Sequence, residues 1–402
     1  MPKAFVLTGG SRSQLGLLEQ AQALGHEVCV VDGSPTAPLL AEAEHRIVRS
    51  FTDVTGVIGE LEAQGIDPVA IATMGSDQAV LPTAQLAERV GLPGLPVETA
   101  RTVADKRRMR AAFERAKVRC PKGREAASFE EAEQAFHQLG PPVVVKPVDG
   151  SAQRGVTEVR AEGELAPAVD RALAASRSRA IVLEQYLEGE EYTVNGFLLE
   201  REYFPMSVTQ RLLHPPPPLG VCLAHRYPSG LADEEPLFRL AHQASLGVGL
   251  ETGPSYVQVR VQDGQPWAIE VGARLGGGKD AELAKLVTGF DAIRANVLWA
   301  LGALTAADLE RGDAVAPCGQ VRFVVAQPGA IVRLDTTPAL ALDGVHEAGF
   351  YWREGMTLPP LTSGAERLGY LLLTAADEDE LDALTERALA ALDVEIGVET
   401  LV

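Results

Sequence analysis

The sequence predicts a multidomain protein that combines an α/β domain with α+β domains. Three observations lead to this prediction. Apolar strands and amphipathic helices alternate over residues 3–90, which is typical of a parallel sheet built from βαβ units. An apolar strand that ends in a lysine, VVVKP at 143–147, then runs into a glycine-containing loop and a second strand. A chain of 402 residues is also too long for a single hydrophobic core.

The composition excludes several classes of protein. The formal net charge is −19, so nucleic acid and anionic membranes would repel the chain as a whole. The start of the chain shows no signal-peptide pattern, and no apolar run is long enough to span a bilayer. The cysteines lie far apart, without CxxC spacing, at Cys29, Cys120, Cys222 and Cys318. We expect a cytoplasmic globular protein with small-molecule substrates, no nucleic-acid or membrane partner, and a homodimer as the candidate assembly.

The first hundred residues predict a Rossmann-like domain. KAFVLTGG (3–10) indicates a buried strand, residues 13–25 a helix, and HEVCVVDGSP (26–35) a second strand. The glycines do not form GxGxxG, so dinucleotide binding is the weaker interpretation of the turn between these elements. PVAIATMGSD (68–77) predicts another strand, which places Asp77 at the carboxyl edge of the sheet. Ligands of open α/β folds bind at that edge.

The stretch from residue 143 to residue 194 predicts a nucleotide site. Lys146 leaves a buried strand, and the loop DGSAQRG (149–155) can place backbone N–H groups over phosphates. IVLEQYLEGEEYTV (181–194) brings acidic residues on a second strand. The helix before the site, SFEEAEQAFHQLG (128–140), begins with a capping box and ends at a glycine. The alternative for Lys146 is a solvated lysine at the end of a strand.

The rest of the chain predicts two hairpins, a long helix and a C-terminal α+β region. Residues 192–213 predict the first hairpin, and the DG pair at 263–264 predicts the second. The prolines at 215–218 indicate a polyproline turn or lid, or else a docking motif. A glycine run precedes one long helix over roughly 279–301, and short strands with a last helix follow from residue 315.

These motifs, in this order, resemble the ATP-grasp superfamily. VVVKP with its glycine loop, EQYLEGEEYTV and IEVGARLGGG follow a βαβ domain, and the likeness covers essentially the whole chain. The sequence is most similar to carboxylate–amine ligases of the L-amino acid (dipeptide) ligase type. Such enzymes use ATP to convert a carboxylate into an acyl phosphate, which an amine then attacks. The alternatives are another ATP-grasp enzyme, such as a purine-pathway ligase or a carboxylase, and a nucleotide-binding protein without turnover.

The resemblance implies a domain order. A pre-ATP-grasp domain of Rossmann type would span residues 1–100, a two-lobed ATP-grasp domain residues 101–310, and an α+β cap residues 311–402. It also implies ATP and Mg²⁺, with Mn²⁺ as a substitute ion. The lysines would contact phosphates, the 149–155 loop would cover them, and acidic and backbone groups would meet adenine and ribose. The implied ATP-binding residues are Lys106, Lys146, Ser151, Gly155, Glu184, Tyr186, Leu187 and Glu191.

The implied metal site departs from the family pattern. Gln258 stands where the family usually has a glutamate, and Gly272 where an asparagine is frequent, so Glu270 is the remaining acid. A glutamine offers Mg²⁺ a carbonyl oxygen but no charge, and we expect weaker metal affinity or one tightly held ion. Arg274 matches the family arginine that stabilises the transferring phosphoryl group, and with Lys146 it would be catalytic. The alternative for Arg274 is a structural salt bridge.

Further residues are candidates for substrate contacts. Asp77 could hold an ammonium group, and His225 or Arg226 could meet a carboxylate. Gly277 and Gly278 leave room where several relatives carry a bulky residue, which implies a roomier substrate pocket. Each of the three polar side chains has a structural alternative at the surface or at the edge of the core.

Overall fold

The chain begins with a parallel sheet in the computed structural model, which describes residues 1–150, 153–216 and 219–397. The elements are β1 (Lys3–Thr8), α1 (Leu15–Ala23), β2 (Glu27–Asp32), β3 (His45–Val48), α2 (Val54–Ala63), β4 (Asp67–Ala72) and α3 (Asp77–Val90). The strand order is β3-β2-β1-β4, with parallel pairing throughout. Since β1 and β2 are covered on both faces, their sequences are continuous apolar runs. The predicted Rossmann-like domain is confirmed, and α3 begins at its carboxyl edge.

A small antiparallel lobe follows. It is preceded by α4 (Val97–Ala104) and α5 (Lys106–Arg115), whose buried residues pack in the core of the large sheet described next. The elements of the lobe are β5 (Gly123–Ala126), α6 (Phe129–Leu139), β6 (Val143–Pro147), β7 (Thr157–Val159), α7 (Leu165–Ala175) and β8 (Ile181–Gln185). The strand order is β5-β8-β6-β7, and the apolar sides of α6 and α7 pack on this sheet. Ser128 accepts a hydrogen bond from the N–H of Glu131, and Gly140 has φ +74°, as the predicted helix start and stop require.

A large antiparallel sheet forms the body of the protein. Its first part comprises β9 (Glu190–Leu199), β10 (Glu202–Leu213), β11 (Cys222–Tyr227), α8 (Glu235–Gly247), β12 (Gly253–Gln262), β13 (Gln265–Gly272), α9 (Asp280–Thr288) and α10 (Ala292–Ala300). The remainder comprises β14 (Cys318–Val324), β15 (Gly329–Asp335), α11 (Thr337–Leu340), β16 (Val345–Phe350), β17 (Thr357–Leu358), β18 (Gly369–Ala375), α12 (Glu378–Ala391) and β19 (Asp393–Gly397). The large sheet has the order β13-β12-β9-β10-β11-β14-β18-β16, and β17-β15-β19 form a small separate sheet.

Both predicted hairpins are confirmed, and one predicted helix is wrong. In the second hairpin Asp263 and Gly264 have φ +52° and +70°, the left-handed pair that a tight two-residue turn needs. The single helix expected over 279–301 is two helices, α9 and α10. Gly289, at φ +73°, ends α9, and the Asp291 side chain accepts a hydrogen bond from the N–H of Arg294 to begin α10. Of the proline run, residues 217 and 218 lie outside the described residues.

The parallel sheet packs against the large sheet and its helices. Phe5 and Leu7 of β1 belong to the same buried cluster as Phe197 of β9 and Phe290, which precedes α10. The N–H of Gly75 also donates to the carbonyl of Leu275 at 3.0 Å. The loops after β4 and after β13 are therefore held together. Strands from both sides of residue 310 share the large sheet, and the boundaries at residues 100 and 310 stay predictions. Within the described ranges, no helix has the length and apolarity to cross a bilayer.

Candidate active site

A cleft of about 370 Å³ lies between the small lobe, the large sheet and the edge of the parallel sheet. Its volume is within the range of small-molecule sites. Most of the predicted site residues line it, namely Asp77, Lys106, Lys146, Glu184, Tyr186, Leu187, Glu191, His225, Gln258, Glu270, Arg274, Gly277 and Gly278. The fold thus brings together side chains from three sheets that are as much as two hundred residues apart in the sequence.

Lys146 and Glu184 form a buried ion pair on adjacent strands of the small lobe. The Lys146 Nζ lies 2.5 Å from Glu184 Oε2, and Arg110 of α5 contacts the other carboxylate oxygen at 2.5 Å. Burial alone would raise the pKa of Glu184, but Lys146 and Arg110 lower it. Burial lowers the pKa of Lys146, Glu184 acts in the opposite direction, and the neighbouring charge of Arg110 lowers the pKa further. Glu184 is therefore held ionised, and its side chain is engaged by cations. Arg110 was missed because its helix reads as an ordinary amphipathic one.

Lys106 connects the glycine loop to Glu270. Its Nζ donates to the carbonyl oxygen of Gly150 at 3.0 Å and lies 3.4 Å from Glu270 Oε2. Burial opposes the charge, yet Glu270 and Asp77 raise the pKa of Lys106 above its ordinary value. Lys106 begins α5, whose N-terminus is capped by Asp105 through the N–H of Arg107 at 2.8 Å. The start of this helix thus aims a charged amine into the cleft.

Glu191 is surrounded by three donors on the large sheet. It accepts from Arg211 Nε at 2.6 Å, from Arg260 Nη2 at 2.8 Å and from Gln258 Nε2 at 2.6 Å. Burial would raise the pKa of Glu191, but the two arginines lower it. Both arginines were missed by sequence reasoning, because nothing in a strand sequence shows which face meets a distant acid. Glu191 is thus an ionised, buried carboxylate.

The residues of the implied metal site sit side by side. Gln258 and Glu270 are direct partners in the β12–β13 hairpin. No cluster of three or more histidine, cysteine, aspartate or glutamate side chains in the described part of the chain could hold a metal ion. The pair fits a Mg²⁺ ion that takes one carboxylate, one carbonyl oxygen and further oxygens from phosphates and water, which is how this ion is usually bound beside nucleotides.

Arg274 joins the large sheet to the parallel sheet. Its Nε and Nη2 lie 2.8 and 2.7 Å from Asp77 Oδ1, and its guanidinium stacks on Tyr256 at 4.6 Å from the ring centre. Burial would lower the pKa of Arg274, and Asp77 raises it. Two of the predicted substrate residues therefore contact each other directly, so the salt-bridge alternative describes a real contact at the rim of the cleft.

The glycine run after β13 is required by close packing. A Cβ on Gly276 would lie 2.2 Å from Asp280 Oδ2, and one on Gly277 would lie 2.7 Å from the carbonyl oxygen of Gly75. A Cβ on Gly278 would lie 3.1 Å from His225 Nε2. Room for substrate was the predicted reason for these glycines. The structure adds a second reason, which is the approach of Asp280 and of the loop after β4.

His225 and Asp280 form a buried pair beneath the glycine run. His225 Nδ1 lies 3.1 Å from Asp280 Oδ1 and 3.4 Å from Thr193 Oγ1. Burial opposes the charged imidazole, but Asp280 raises the pKa of His225 above its ordinary value. Asp280 was missed by sequence reasoning. The available signal was its place as the first residue of a helix that follows three glycines.

Two predicted residues, Arg226 and Gly155, are placed elsewhere. Alternate residues of a strand face opposite sides of the sheet, so Arg226 points away from His225 and contacts Glu378 and Asp382 of α12. Gly155, at φ +73°, packs against α7, where a Cβ would lie 2.7 Å from that of Ala175. Ser151 lies outside the described residues.

The comparisons with known proteins identify two domains in the chain. A model described as ATP-grasp domain matches residues 139–282, and one described as L-amino acid ligase C-terminal domain 2 matches residues 322–397. The alanine–anticapsin ligase of Bacillus subtilis is 26% identical over 324 residues, which cover 72% of this chain and 66% of that protein. An uncharacterized protein, y4rH, of Sinorhizobium fredii is 25% identical over 354 residues, covering 86% and 72%. The crystal structure of L-amino acid ligase from Bacillus licheniformis superposes with a TM-score of 0.80 at 20% identity, covering 99% of each chain.

The fold and the cleft define an ATP-grasp enzyme, and the predicted class is confirmed. The chain carries an ATP-grasp domain over residues 139–282 and the C-terminal domain 2 of an L-amino acid ligase over residues 322–397. The predicted class of reaction, ATP-dependent ligation that forms a carbon–nitrogen bond, is confirmed with it. At these identities the superposed structure establishes the fold alone, and the chain spans about two thirds of the alanine–anticapsin ligase.

Proposed function

We propose that this chain uses ATP to join an amino acid, through its carboxylate, to an amine, and that it releases ADP and phosphate. One observation carries the proposal. Lys106, Lys146, Glu270 and Arg274 face the same cleft as the backbone of residues 186–187. Phosphate transfer to a carboxylate needs cations around the triphosphate, a metal-binding acid and a place for adenine, and each of these lines one space. The C-terminal domain match supports amino acids over the purine-pathway alternative.

The end of β8 supports the nucleotide part of the proposal. Among the described residues, the N–H of Leu187 and the carbonyl of Tyr186 have no hydrogen-bond partner, and both residues line the cleft. A donor and an acceptor on adjacent residues complement the ring nitrogen and the amino group of adenine. Lys106 and Lys146 would then contact the phosphates. Glu191, whose carboxylate already meets three donors, has capacity for about one ribose hydroxyl.

Glu270 and the side-chain oxygen of Gln258 would hold Mg²⁺, or Mn²⁺ as a substitute, together with phosphate oxygens. Such an ion, when bound, neutralises charge on the transferred phosphoryl group. Arg274 would orient the substrate carboxylate, because a guanidinium can contact a carboxylate and a phosphoryl oxygen at once. In this sequence of steps a carboxylate oxygen attacks the γ-phosphorus and ADP leaves. The amine then attacks the acyl carbon, the carbon–oxygen bond to phosphate breaks, and the amine loses a proton.

The test is product analysis with the full-length protein, Mg²⁺, ATP and single or paired amino acids. We expect ADP and phosphate to form only when an amino acid is present, and hydroxylamine in place of the second amino acid to give a hydroxamate. Arg274→Met should lower kcat by about 10²- to 10³-fold, the usual loss when a group that stabilises transition-state charge is removed. Arg239→Met, an exposed arginine on α8, is the matched control.

Formation of AMP and pyrophosphate would contradict the acyl phosphate. ADP release with bicarbonate or a ribonucleotide amine, and with no amino acid, would favour the purine-pathway or carboxylase alternative. Binding of ATP without ADP release under any of these conditions would favour a nucleotide-binding protein. The predicted homodimer is part of the proposal and is measured on the same sample by sedimentation equilibrium.

A further inference from the structure

Asp280 is a buried carboxylate without a hydrogen bond. Its exposed fraction is 1%, and neither carboxylate oxygen has a hydrogen-bond partner among the described residues. Its contact with His225 is ionic, at 3.1 Å from Oδ1, and lacks hydrogen-bonding geometry. A buried charge that is not hydrogen-bonded destabilises a protein, so a residue of this kind is expected to have a ligand as its partner.

The second oxygen of Asp280 borders the glycine run and the cleft. Oδ2 lies 2.2 Å from the position that a Cβ of Gly276 would take and 3.3 Å from that of Gly278. Asp280 itself lines the cleft. These distances leave no room for a side chain at Gly276, so only the glycine backbone lies against this oxygen on that side.

Arg367 is a cation that lines the same cleft and packs on Phe323. Its Cζ lies 3.6 Å from the centre of the Phe323 ring, and the same ring lies edge-on to His225 at 5.8 Å between centres. Arg367 Nε donates to the carbonyl of Gly364 at 2.8 Å. Within the described ranges no carboxylate lies in ion-pair distance of Arg367, although it lines the cleft, and burial lowers its pKa.

The other buried arginines of the cleft differ from Arg367 in this respect. Arg211 and Arg260 pair with Glu191, and Arg274 pairs with Asp77. A guanidinium that faces the same cleft without such a partner is suited to bind a carboxylate of a ligand, since its planar fork matches that group.

We infer that Asp280 and Arg367 form a subsite that binds one amino acid substrate at two points, its ammonium group on Asp280 and a carboxylate on Arg367. The inference rests on the proposed function for the identity of the substrate as an amino acid. Phe323, which lines the cleft and contacts both Arg367 and His225, provides an apolar wall against which the carbon skeleton packs.

The subsite is tested by pairing variants with substrate analogues. The probe is whichever standard amino acid gives the largest ADP release with the wild-type protein, together with its α-amide and its 2-hydroxy analogue. Asp280→Asn should raise KM for the amino acid and lower kcat/KM by about 10- to 100-fold, the usual loss for a hydrogen bond to a charged group. The 2-hydroxy analogue has no ammonium group, so its kcat/KM should be the same for the wild type and for Asp280→Asn. Arg367→Met should likewise raise KM for the amino acid. The α-amide has no carboxylate to be phosphorylated, so its binding is measured by calorimetry in the presence of MgADP, and it should be equal for the wild type and Arg367→Met.

Matched controls are Asp382→Asn and Arg226→Met, a carboxylate and an arginine that contact each other outside the cleft. An equal loss for the amino acid and for both analogues would show that Asp280 and Arg367 only maintain the structure, and would overturn the subsite. Should the wild-type protein release no ADP, the proposed function fails, and the subsite is then measured by calorimetric binding of the twenty standard amino acids in the presence of MgADP. Binding that is lost in Asp280→Asn supports it, and absent or unchanged binding overturns it.

Discussion

The two ends of the cleft balance their charges differently. At the nucleotide end, defined by Lys106, Lys146, Glu184, Glu191 and Glu270, every charged side chain contacts an opposite charge within the protein. At the glycine end, defined by Asp280, His225 and Arg367 around Phe323, the described residues leave the carboxylate without a hydrogen bond and the guanidinium without an acid.

This difference separates two ways of preparing a site. Paired groups hold each other in fixed positions, and a ligand has to exchange with an existing partner, as phosphates would exchange with Glu184 at Lys146. A carboxylate without a hydrogen bond and a guanidinium without an acid gain these partners from the ligand, so that interaction energy goes directly into binding and selectivity. We therefore expect substitutions at the nucleotide end to have the larger effect on the stability of the protein, and substitutions at the glycine end to have the larger effect on substrate selectivity.

The largest effect that tests this comparison is on stability at Glu191. Glu191→Ala leaves Arg211 and Arg260 buried without their carboxylate, and removing one member of a buried ion pair costs about 3–5 kcal/mol. Urea denaturation at neutral pH measures the free energy of unfolding. The matched control is Glu251→Ala, which removes the acid of an exposed pair with Arg201 and should cost less than about 1 kcal/mol. Equal losses for the two variants would contradict the claim that the nucleotide end stabilises the fold.

More residues of the nucleotide end than of the glycine end were predicted from the sequence. The reason is that the first group is marked by local sequence patterns, whereas the second depends on contacts between distant segments. Lys146 and Glu184 lie in apolar strands whose ends are marked by proline, glycine and acidic residues, so the local pattern shows where both residues stand. The hairpin at 263–264 was equally visible, because its turn chemistry is local.

The residues that were missed depend on contacts made far along the chain. Arg110 is a helix residue whose role appears only when α5 meets β8, and Arg367 precedes a strand that joins the large sheet from beyond residue 315. Asp280 reads as an ordinary acidic residue in the first turn of a helix. The break between α9 and α10 was not predicted, because the apolar periodicity of a helix continues across Gly289 and a single glycine does not by itself indicate the end of a helix.

An intermediate effect is expected at Gln258, and it sharpens the description of the nucleotide end. The Gln258 amide donates to Glu191, so Gln258→Glu would place two carboxylates in contact and destabilise the protein in the absence of metal. Adding Mg²⁺ with ADP should restore most of the loss, because the new acid is a better metal ligand. Thermal denaturation with and without MgADP measures both changes. Gln64→Glu, an exposed residue after α2, is the control. A variant whose Tm falls without Mg²⁺ and does not recover with it would show that residue 258 does not face the ion.

The smallest effect is a pH dependence at the glycine end, where His225 faces Asp280, Cys222 and Arg211. Burial opposes the imidazolium, but Asp280, followed by Cys222, raises the pKa of His225 above its ordinary value of 6.5, while Arg211 acts in the opposite direction. A raised pKa in the folded state contributes stability below pH 6.5 that is lost as the pH rises through the folded value. The free energy of unfolding should therefore fall above pH 6.5, by about 1.4 kcal/mol for each pH unit by which the pKa is raised. Asp280→Asn should abolish this fall, whereas Asp382→Asn should keep it. If both variants keep the wild-type dependence of the free energy of unfolding on pH, the charge of Asp280 does not raise the pKa of His225.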